Sequence, residues 1–448
     1  MELNIQFLQK MLSNITLNSR GKGDRVGTET GLPPLLAACA ALMHKSGEAS
    51  LVLRAHEVLQ HYAGLDSTEK TAFFHHLASE YAACPNTIRH AHEAYQKQPD
   101  NQHLQRLFHA CEPRRQSLLR QLNLCPGGTY ELVKMRTDLL ALIRQEPELA
   151  ALDEDFIHLF GSWFNRGFLV LESIDWNTPA AILEKIIRYE AVHEIRDWQD
   201  LRRRLDPDDR RCYAFFHPAI GDEPLIFVEV ALCKGIPDNV QHILAGGNQV
   251  LPEQADTAVF YSISNCQSGL KGISFGNFLI KQVVQELSRE LPSLKQFVTL
   301  SPVPGFARWL KQQDEGQLQP ALAGRLEQLT HADWAQRQEV ESALQPDLLA
   351  LAAHYLTEAK SRQGLPLDPV ARFHLGNGAS LHRLNWLADN SAKGQSQSHG
   401  IMVNYLYELD RIEQNHEALS REGKVICTSD TRKLAKRAQG LLAQPATA

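Results

Sequence analysis

No two of the eight cysteines in this 448-residue chain stand as a Cys-x-x-Cys pair. Cys39, Cys84, Cys111, Cys125, Cys212, Cys233, Cys266 and Cys427 are scattered, which argues against a zinc site and against a disulfide framework. They read as small apolar side chains in a reducing compartment. No apolar run approaches the roughly 18 residues that a membrane span needs, so no membrane partner is expected. No block of lysine and arginine is long enough for a nucleic-acid surface, and the net charge is only -6. An anionic ligand must therefore be attracted by a local site. The first residues, Met1 to Gln6, do not form a basic stretch leading into an apolar run. The last, Pro445 to Ala448, carry no Ser-Lys-Leu address. The expected location is the cytoplasm.

What is present suits a globular protein of two or three domains, with 43% hydrophobic and 22% charged residues. The first third is patterned for helices. One is expected from Glu48 to Gly64, with Leu51, Val58, Leu59 and Tyr62 at helical spacing. Another opens at Asp66, where Glu69 completes a capping box, and stops before Pro85. A third is expected over 102–122 and a fourth over 130–144, after the turn Pro126-Gly127-Gly128. These predict an antiparallel helical bundle used for packing or assembly.

The pattern changes near Asp153. Short β-type runs are expected at 167–171, 212–216, 225–232, 258–264 and 296–300. Thr178 and Pro179 are expected to open a helix as N-cap and first residue. Residues 275–291 form a strongly amphipathic helix, with Ile280, Val283, Val284 and Leu287 inward. This order indicates an α/β domain. Helix returns over 311–360, and the basic, polar tail after Thr428 is expected to end in disorder.

The strand at 258–264 leads through a glycine-bearing loop into that amphipathic helix. Free backbone N–H groups and the positive end of a helix dipole meet at such a place, which suits a phosphate. Gly269, Gly272 and Gly276 would let the chain approach an anion, and Lys271 adds charge. A tight turn without any ligand explains the same glycines, so spacing leaves both readings open. The loop also contains Gly272-Ile-Ser274-Phe-Gly276, the Gly-x-Ser-x-Gly pattern of a nucleophile elbow. With a downstream aspartate and His374 it would make a thioesterase. Too many residues separate the strand from Ser274 for a true elbow. Downstream, Ser301 ends a buried strand where two prolines and a glycine hold a fixed turn. Ligands of α/β sheets sit at such strand ends, although a plain strand stop would use the same residues. His76 with Glu80, and His90 with His92, lack a third metal ligand. Lys134-Met135 lies in a predicted helix, which speaks against biotin. No metal and no cofactor are expected.

Taken together, several runs resemble the malonyl-CoA decarboxylases. They are Phe260-Tyr-Ser-Ile-Ser264, Gly269-Leu-Lys-Gly272, Phe278-Leu-Ile-Lys281, Leu300-Ser-Pro-Val-Pro-Gly-Phe306, Phe373-His-Leu-Gly-Asn-Gly-Ala379, Asn385-Trp386 and Met402-Val-Asn-Tyr405. Gly161 to Gly167 and Glu223 to Leu225 fit as well. The resemblance implies an α+β architecture: an N-terminal all-helical bundle (1–150) used in oligomer contacts, then a mixed α/β catalytic domain (151–448) like the GNAT-type acetyltransferases. It implies a homo-oligomer, dimer or tetramer, through the helical domain. The acyl-CoA loop falls on Lys271, Gly272, Ile273, Ser274, Phe275, Gly276 and Asn277. The catalytic pair falls on Ser301 and His374, both also touching malonyl-CoA. The spacing of Gly269 and Gly272 departs from the acetyltransferase loop pattern.

The reaction so implied converts malonyl-CoA to acetyl-CoA and CO2. The thioester itself takes the electron pair, so no cofactor is required. Ser301 would hydrogen-bond the malonyl head, and His374 would protonate the enolate carbon from a near-neutral pKa. Asn377, Asn404, Tyr405 and Tyr407 are further candidate donors. Acyl-CoA hydrolysis, GNAT-type acyl transfer and non-catalytic acyl-CoA sensing are the alternatives.

Overall fold

Apolar residues three and four apart fold as expected into helices in the computed structural model, which describes residues 31–44, 47–246, 250–273, 279–313 and 319–442. The chain divides into two units. The first holds the described residues up to Leu169 together with 217–223 and 267–273. Its helices are α1 (Leu32–Leu42), α2 (Glu48–Ala63), α3 (Ser67–Glu80), α4 (Pro85–Lys97), α5 (Asn101–Cys111), α6 (Arg114–Leu122), α7 (Gly128–Leu142) and α8 (Ala150–Trp163). Leu35, Leu59, Phe73, Phe74, Leu118, Leu132, Phe156 and Phe160 close its core. The capping box at α3 is complete. Asp66 accepts from the Glu69 N–H at 2.9 Å, and Glu69 accepts from the Asp66 N–H at 3.1 Å.

The single helix expected over 102–122 is two helices, broken at Glu112 and Pro113. Pro113 is the N-cap of α6 with extended backbone, and a proline ring cannot continue the preceding turn. Gly127 adopts the left-handed φ of 77° that turns the chain into α7.

The second unit is built on eight strands: β1 (Val170–Ser173), β2 (Arg210–Phe216), β3 (Pro224–Cys233), β4 (Thr257–Asn265), β5 (Gln296–Thr299), β6 (Ser301–Pro302), β7 (Ser380–Asn385) and β8 (Met402–Leu406). Their order is β1-β2-β3-β4-β5-β8-β6, with β7 also on β8. β1 to β4 are antiparallel, and β4 and β5 are parallel. The unit's helices are α9 (Ala180–Tyr189), α10 (Trp198–Leu205), α11 (Val240–Ala245), α12 (Leu279–Glu290), α13 (Phe306–Gln312), α14 (Pro320–Leu326), α15 (Gln338–Thr357), α16 (Pro369–Gly376), α17 (Ala392–Ser398), α18 (Ile412–Glu422) and α19 (Ser429–Gln439). Ile182, Ile186, Leu201 and Leu205 from α9 and α10 pack on Cys212, Ala214 and Phe227 of the sheet. Among the described residues no helix is long and apolar enough to cross a membrane.

One expectation changes here, and the end of the tail, expected to be disordered, lies outside the described residues. Thr178 does not cap α9. Its hydroxyl accepts from the Asp175 N–H at 3.0 Å, and Pro179 takes the N-cap position. The tail after Thr428 is helical through Gln439, because Thr428 caps α19 and Thr431, Ala435 and Ala438 bury one face. Residues beyond 442 lie outside those described.

The parallel pairing of β4 with β5 runs from Thr257 to Phe260, and the Leu300 N–H to Phe260 carbonyl bond at 3.0 Å closes it. β4 continues to Asn265 against β3, while Ser301 turns to pair with Val403 of β8. A bulge in β4, opposite Glu229 and Val230, leaves Tyr261 as the extra residue and bends the strand at this point. The sheet therefore opens between β4 and β5.

Candidate active site

Ser301 is the first residue past the last rung shared by β4 and β5. It is buried, and its Oγ lies 3.0 Å from Nε2 of His374. Seventy-three residues of chain separate the two. α16 carries His374, and its position is fixed from its N-terminus. The Asp368 carboxylate caps that helix, accepting from the Val370 and Ala371 N–H groups at 2.9 and 3.0 Å. Its second oxygen accepts from the Gly305 N–H at 3.2 Å and from the Tyr355 hydroxyl at 3.4 Å. One carboxylate thus ties the helix of His374 to the turn that follows Ser301. Gly305 must be glycine there, because a Cβ would stand 2.1 Å from the Tyr355 hydroxyl.

The other ring nitrogen of His374, Nδ1, lies 2.9 Å from the hydroxyl of Tyr407. Tyr405 stacks on the ring at 4.7 Å between centroids and 24° between planes. Thr299 completes the array. Its hydroxyl accepts from Ser301 Oγ at 2.9 Å and from the Tyr405 N–H at 3.1 Å. Asn404 donates to the Thr299 carbonyl at 2.8 Å and accepts from Asn385 at 2.8 Å.

Hydrogen accounting assigns the tautomer. The Ser301 proton is directed at Thr299, so Nε2 must be the donor toward Ser301. Nδ1 then accepts from Tyr407. No carboxylate contacts the ring among the described residues. Burial alone pushes the His374 pKa down to about 3, not the near-neutral value expected. A buried imidazolium with no counter-charge is unfavourable, so the ring is neutral at pH 7.

The acyl-CoA loop is described only in part. Lys271, Gly272 and Ile273 belong to the helical unit, and Ser274, Phe275, Gly276 and Asn277 lie outside the described residues. Arg136 donates to the carbonyls of Gly269 and Lys271 at 2.7 and 2.9 Å, and pairs with Asp153 at 2.7 Å. A Cβ on Gly269 would stand 1.9 Å from the Val133 carbonyl. That glycine therefore admits the backbone of α7, where the sequence suggested an anion. Gly272 takes the left-handed φ of 82°.

The chain matches known families along most of its length. Residues 81–164 match the malonyl-CoA decarboxylase N-terminal domain, and residues 167–444 the malonyl-CoA decarboxylase C-terminal domain. The chain belongs to the malonyl-CoA decarboxylase family. A mitochondrial malonyl-CoA decarboxylase from Anser anser anser is 38% identical over 335 residues, 68% of this chain and 66% of that protein. The chain thus spans about two thirds of the length of that curated relative. The crystal structure of a malonyl-CoA decarboxylase from Rhodopseudomonas palustris is similar at a TM-score of 0.88 and 52% identity, covering 90% of this chain and 100% of that one. One from Agrobacterium vitis gives 0.85 and 50%, covering 89% and 99%.

A malonyl-CoA decarboxylase takes an acyl-CoA as substrate and releases another as product. Of the residues singled out from sequence, Ser301 and His374 come together, joined by Asn404, Tyr405 and Tyr407. Asn377 does not join them. Its side chain donates to the Phe373 carbonyl at 2.7 Å and finishes α16. Thr299 and Asp368 were missed. Asp368 carried a legible signal, since aspartate before Pro369 is a helix start. Thr299 carried none, because its role depends on strands distant in sequence.

Proposed function

We propose that this malonyl-CoA decarboxylase carries out its reaction at Ser301 and His374. The observation that carries the assignment is the 3.0 Å contact of Ser301 Oγ with His374 Nε2, buried where β4 and β5 part. The bond from C2 of the malonyl group to its carboxylate breaks. Its electron pair passes into the thioester as an enolate, CO2 leaves, and C2 takes a proton. Ser301 binds the malonyl head. His374 supplies the proton, directly or through Ser301, with Tyr407 behind it at Nδ1.

The substrate corrects the low basicity of His374. In the free protein the ring has no counter-charge. The malonyl carboxylate brings one, and an opposite charge within about 4–6 Å favours the imidazolium. The ring gains its proton as malonyl-CoA binds and releases it when the negative charge has moved to the enolate. We assign Lys271 to Asn277 to the acyl-CoA, as the family resemblance implies. Hydrolysis by an elbow at Ser274 is the weaker reading, since the ring of His374 is engaged by Ser301 and Tyr407.

The test is product analysis with labelled malonyl-CoA and no added cofactor. Acetyl-CoA and CO2 are expected from the wild type. Ser301→Ala and His374→Ala should each lose turnover by about 10²–10⁴-fold while still binding acetyl-CoA. Release of malonate and free CoA would overturn the reading in favour of hydrolysis.

We also assign self-association to the helical unit. The hairpin of α4 and α5 buries none of its residues, and α5 exposes Leu104 and Phe108, the latter at 77%. Phe108→Glu should reduce the oligomer, read by light scattering after gel filtration. We place the protein in the cytoplasm because its eight cysteines are scattered with no Cys-x-x-Cys pair, to be checked by cell fractionation.

A further inference from the structure

The bulge in β4 and the strand of Ser301 leave the same rung of the sheet. Phe260 and Leu300 make the last bond between β4 and β5, at 3.0 Å. Tyr261, the extra residue of the bulge, follows the first, and Ser301 follows the second. Past the bulge the side chains of β4 change sides, because one added residue reverses the alternation of a strand. Phe260 packs its ring on Tyr407, on the face that holds His374. Ser262, two residues on, would face the same way in a regular strand. It is turned to the opposite face, where α9 and α10 pack.

Two carboxylates receive the side chains turned there. Glu190, the residue after α9, holds its two oxygens 2.8 and 2.7 Å from Ser262 Oγ and accepts from Ser264 Oγ at 3.3 Å. The N–H groups of Val192 and His193, each at 2.7 Å, fix that carboxylate in place. Glu229 stands on β3 opposite Ser262, fully buried, and the Tyr261 phenol faces it. Both carboxylates act on one guanidinium, Arg204 of α10, which donates to Glu229 at 3.1 Å.

The ordinary explanation of a buried ion pair is that it stabilises the fold. Two carboxylates sharing one guanidinium, largely withdrawn from water, do this poorly, because the pairing often returns less than the lost hydration costs. Burial, and then the facing Glu190 carboxylate, push Glu229 up to about 8. What the cluster does fix is register. With Tyr261 and Ser262 both engaged on one face, β4 cannot slip into regular alternation.

We propose that Glu190 and Glu229 are positioning residues for the decarboxylation. They hold the bulge of β4, and with it the gap between β4 and β5 that Ser301 borders. They act through Ser301, so their role rests on the assignment of the reaction to Ser301 and His374.

Turnover of malonyl-CoA by the full chain tests this. Ser262→Thr keeps the hydroxyl that Glu190 receives, and Ser262→Val has the same shape without it. The kcat of Ser262→Val, per folded enzyme, should lie about tenfold below that of Ser262→Thr, with the acetyl-CoA dissociation constant equal in both. The groups facing Glu229 are Arg204, Glu190, Tyr261 and, from β2, Cys212. As pH rises past about 8, Glu229 ionises against Glu190, so wild-type kcat should fall there. Glu229→Gln keeps the neutral shape and should lack that fall. Equal kcat in Ser262→Thr and Ser262→Val, or the same alkaline fall in Glu229→Gln, overturns the proposal while leaving the site at Ser301 and His374 intact. Full turnover by Ser301→Ala and His374→Ala overturns the site assignment and the proposal with it, a failure distinct from the other two.

Discussion

The hydroxyl of Tyr407 donates to Nδ1 of His374 across 2.9 Å, inside the core of the sheet-bearing unit. The bond sets the tautomer that points Nε2–H at Ser301. A neutral phenol can hold the ring in this way without charging it, whereas a carboxylate would raise its pKa. Tyr407→Phe removes the bond and leaves the ring's volume. Turnover should fall by about tenfold, the worth of one neutral hydrogen bond in the transition state. The dissociation constant of acetyl-CoA should stay unchanged. A variant with wild-type turnover would show that Tyr407 only fills space.

Binding of malonyl-CoA should take up protons. At pH 7 the free ring is neutral, its pKa being about 3. If the malonyl carboxylate recharges it, a weakly buffered solution with an indicator dye will report uptake on mixing with a carboxylate-bearing analogue that cannot lose CO2, a probe chosen because turnover itself consumes a proton. His374→Gln, free of turnover, should show none. Uptake of equal size in that variant would detach the effect from His374.

Acid should unfold the protein from the histidine range downward. Burial pushes His374 to about 3, and His193 and His399 each to about 4. In the unfolded chain each would titrate near 6.5. Between these values the unfolded chain binds more protons than the folded one, so stability is full above about 6.5 and falls as pH drops toward 4. Urea midpoints should decline over that interval. His399→Phe should decline less steeply, and an unchanged slope would count against a neutral, half-buried His399.

Gly305→Ala should destabilise the fold and the site together. The new methyl would meet the Tyr355 hydroxyl at 2.1 Å and Asp368 at 3.3 Å. Overpacking of this kind costs about 1–3 kcal/mol. It also displaces the carboxylate that caps the start of α16. Urea denaturation should show the loss, and kcat should fall even where the variant is fully folded.

Local pattern determined a large part of this protein. The Asp66–Glu69 box placed α3, and the β-type run at 258–264 placed β4, because caps and short apolar runs are local properties. Pro113, which divides one expected helix into two, was equally visible as a residue that cannot continue a turn. Family motifs singled out Ser301 and His374 without showing why they work. Only the tertiary structure brought Tyr407 behind the ring, since β8 meets α16 through pairings far apart in the chain. It also moved His374 well below its ordinary pKa, because desolvation depends on everything packed around the ring. Gly269 shows the same division. Its lack of a side chain is plain in the sequence, but the reason is the Val133 carbonyl, contributed by a helix more than a hundred residues earlier.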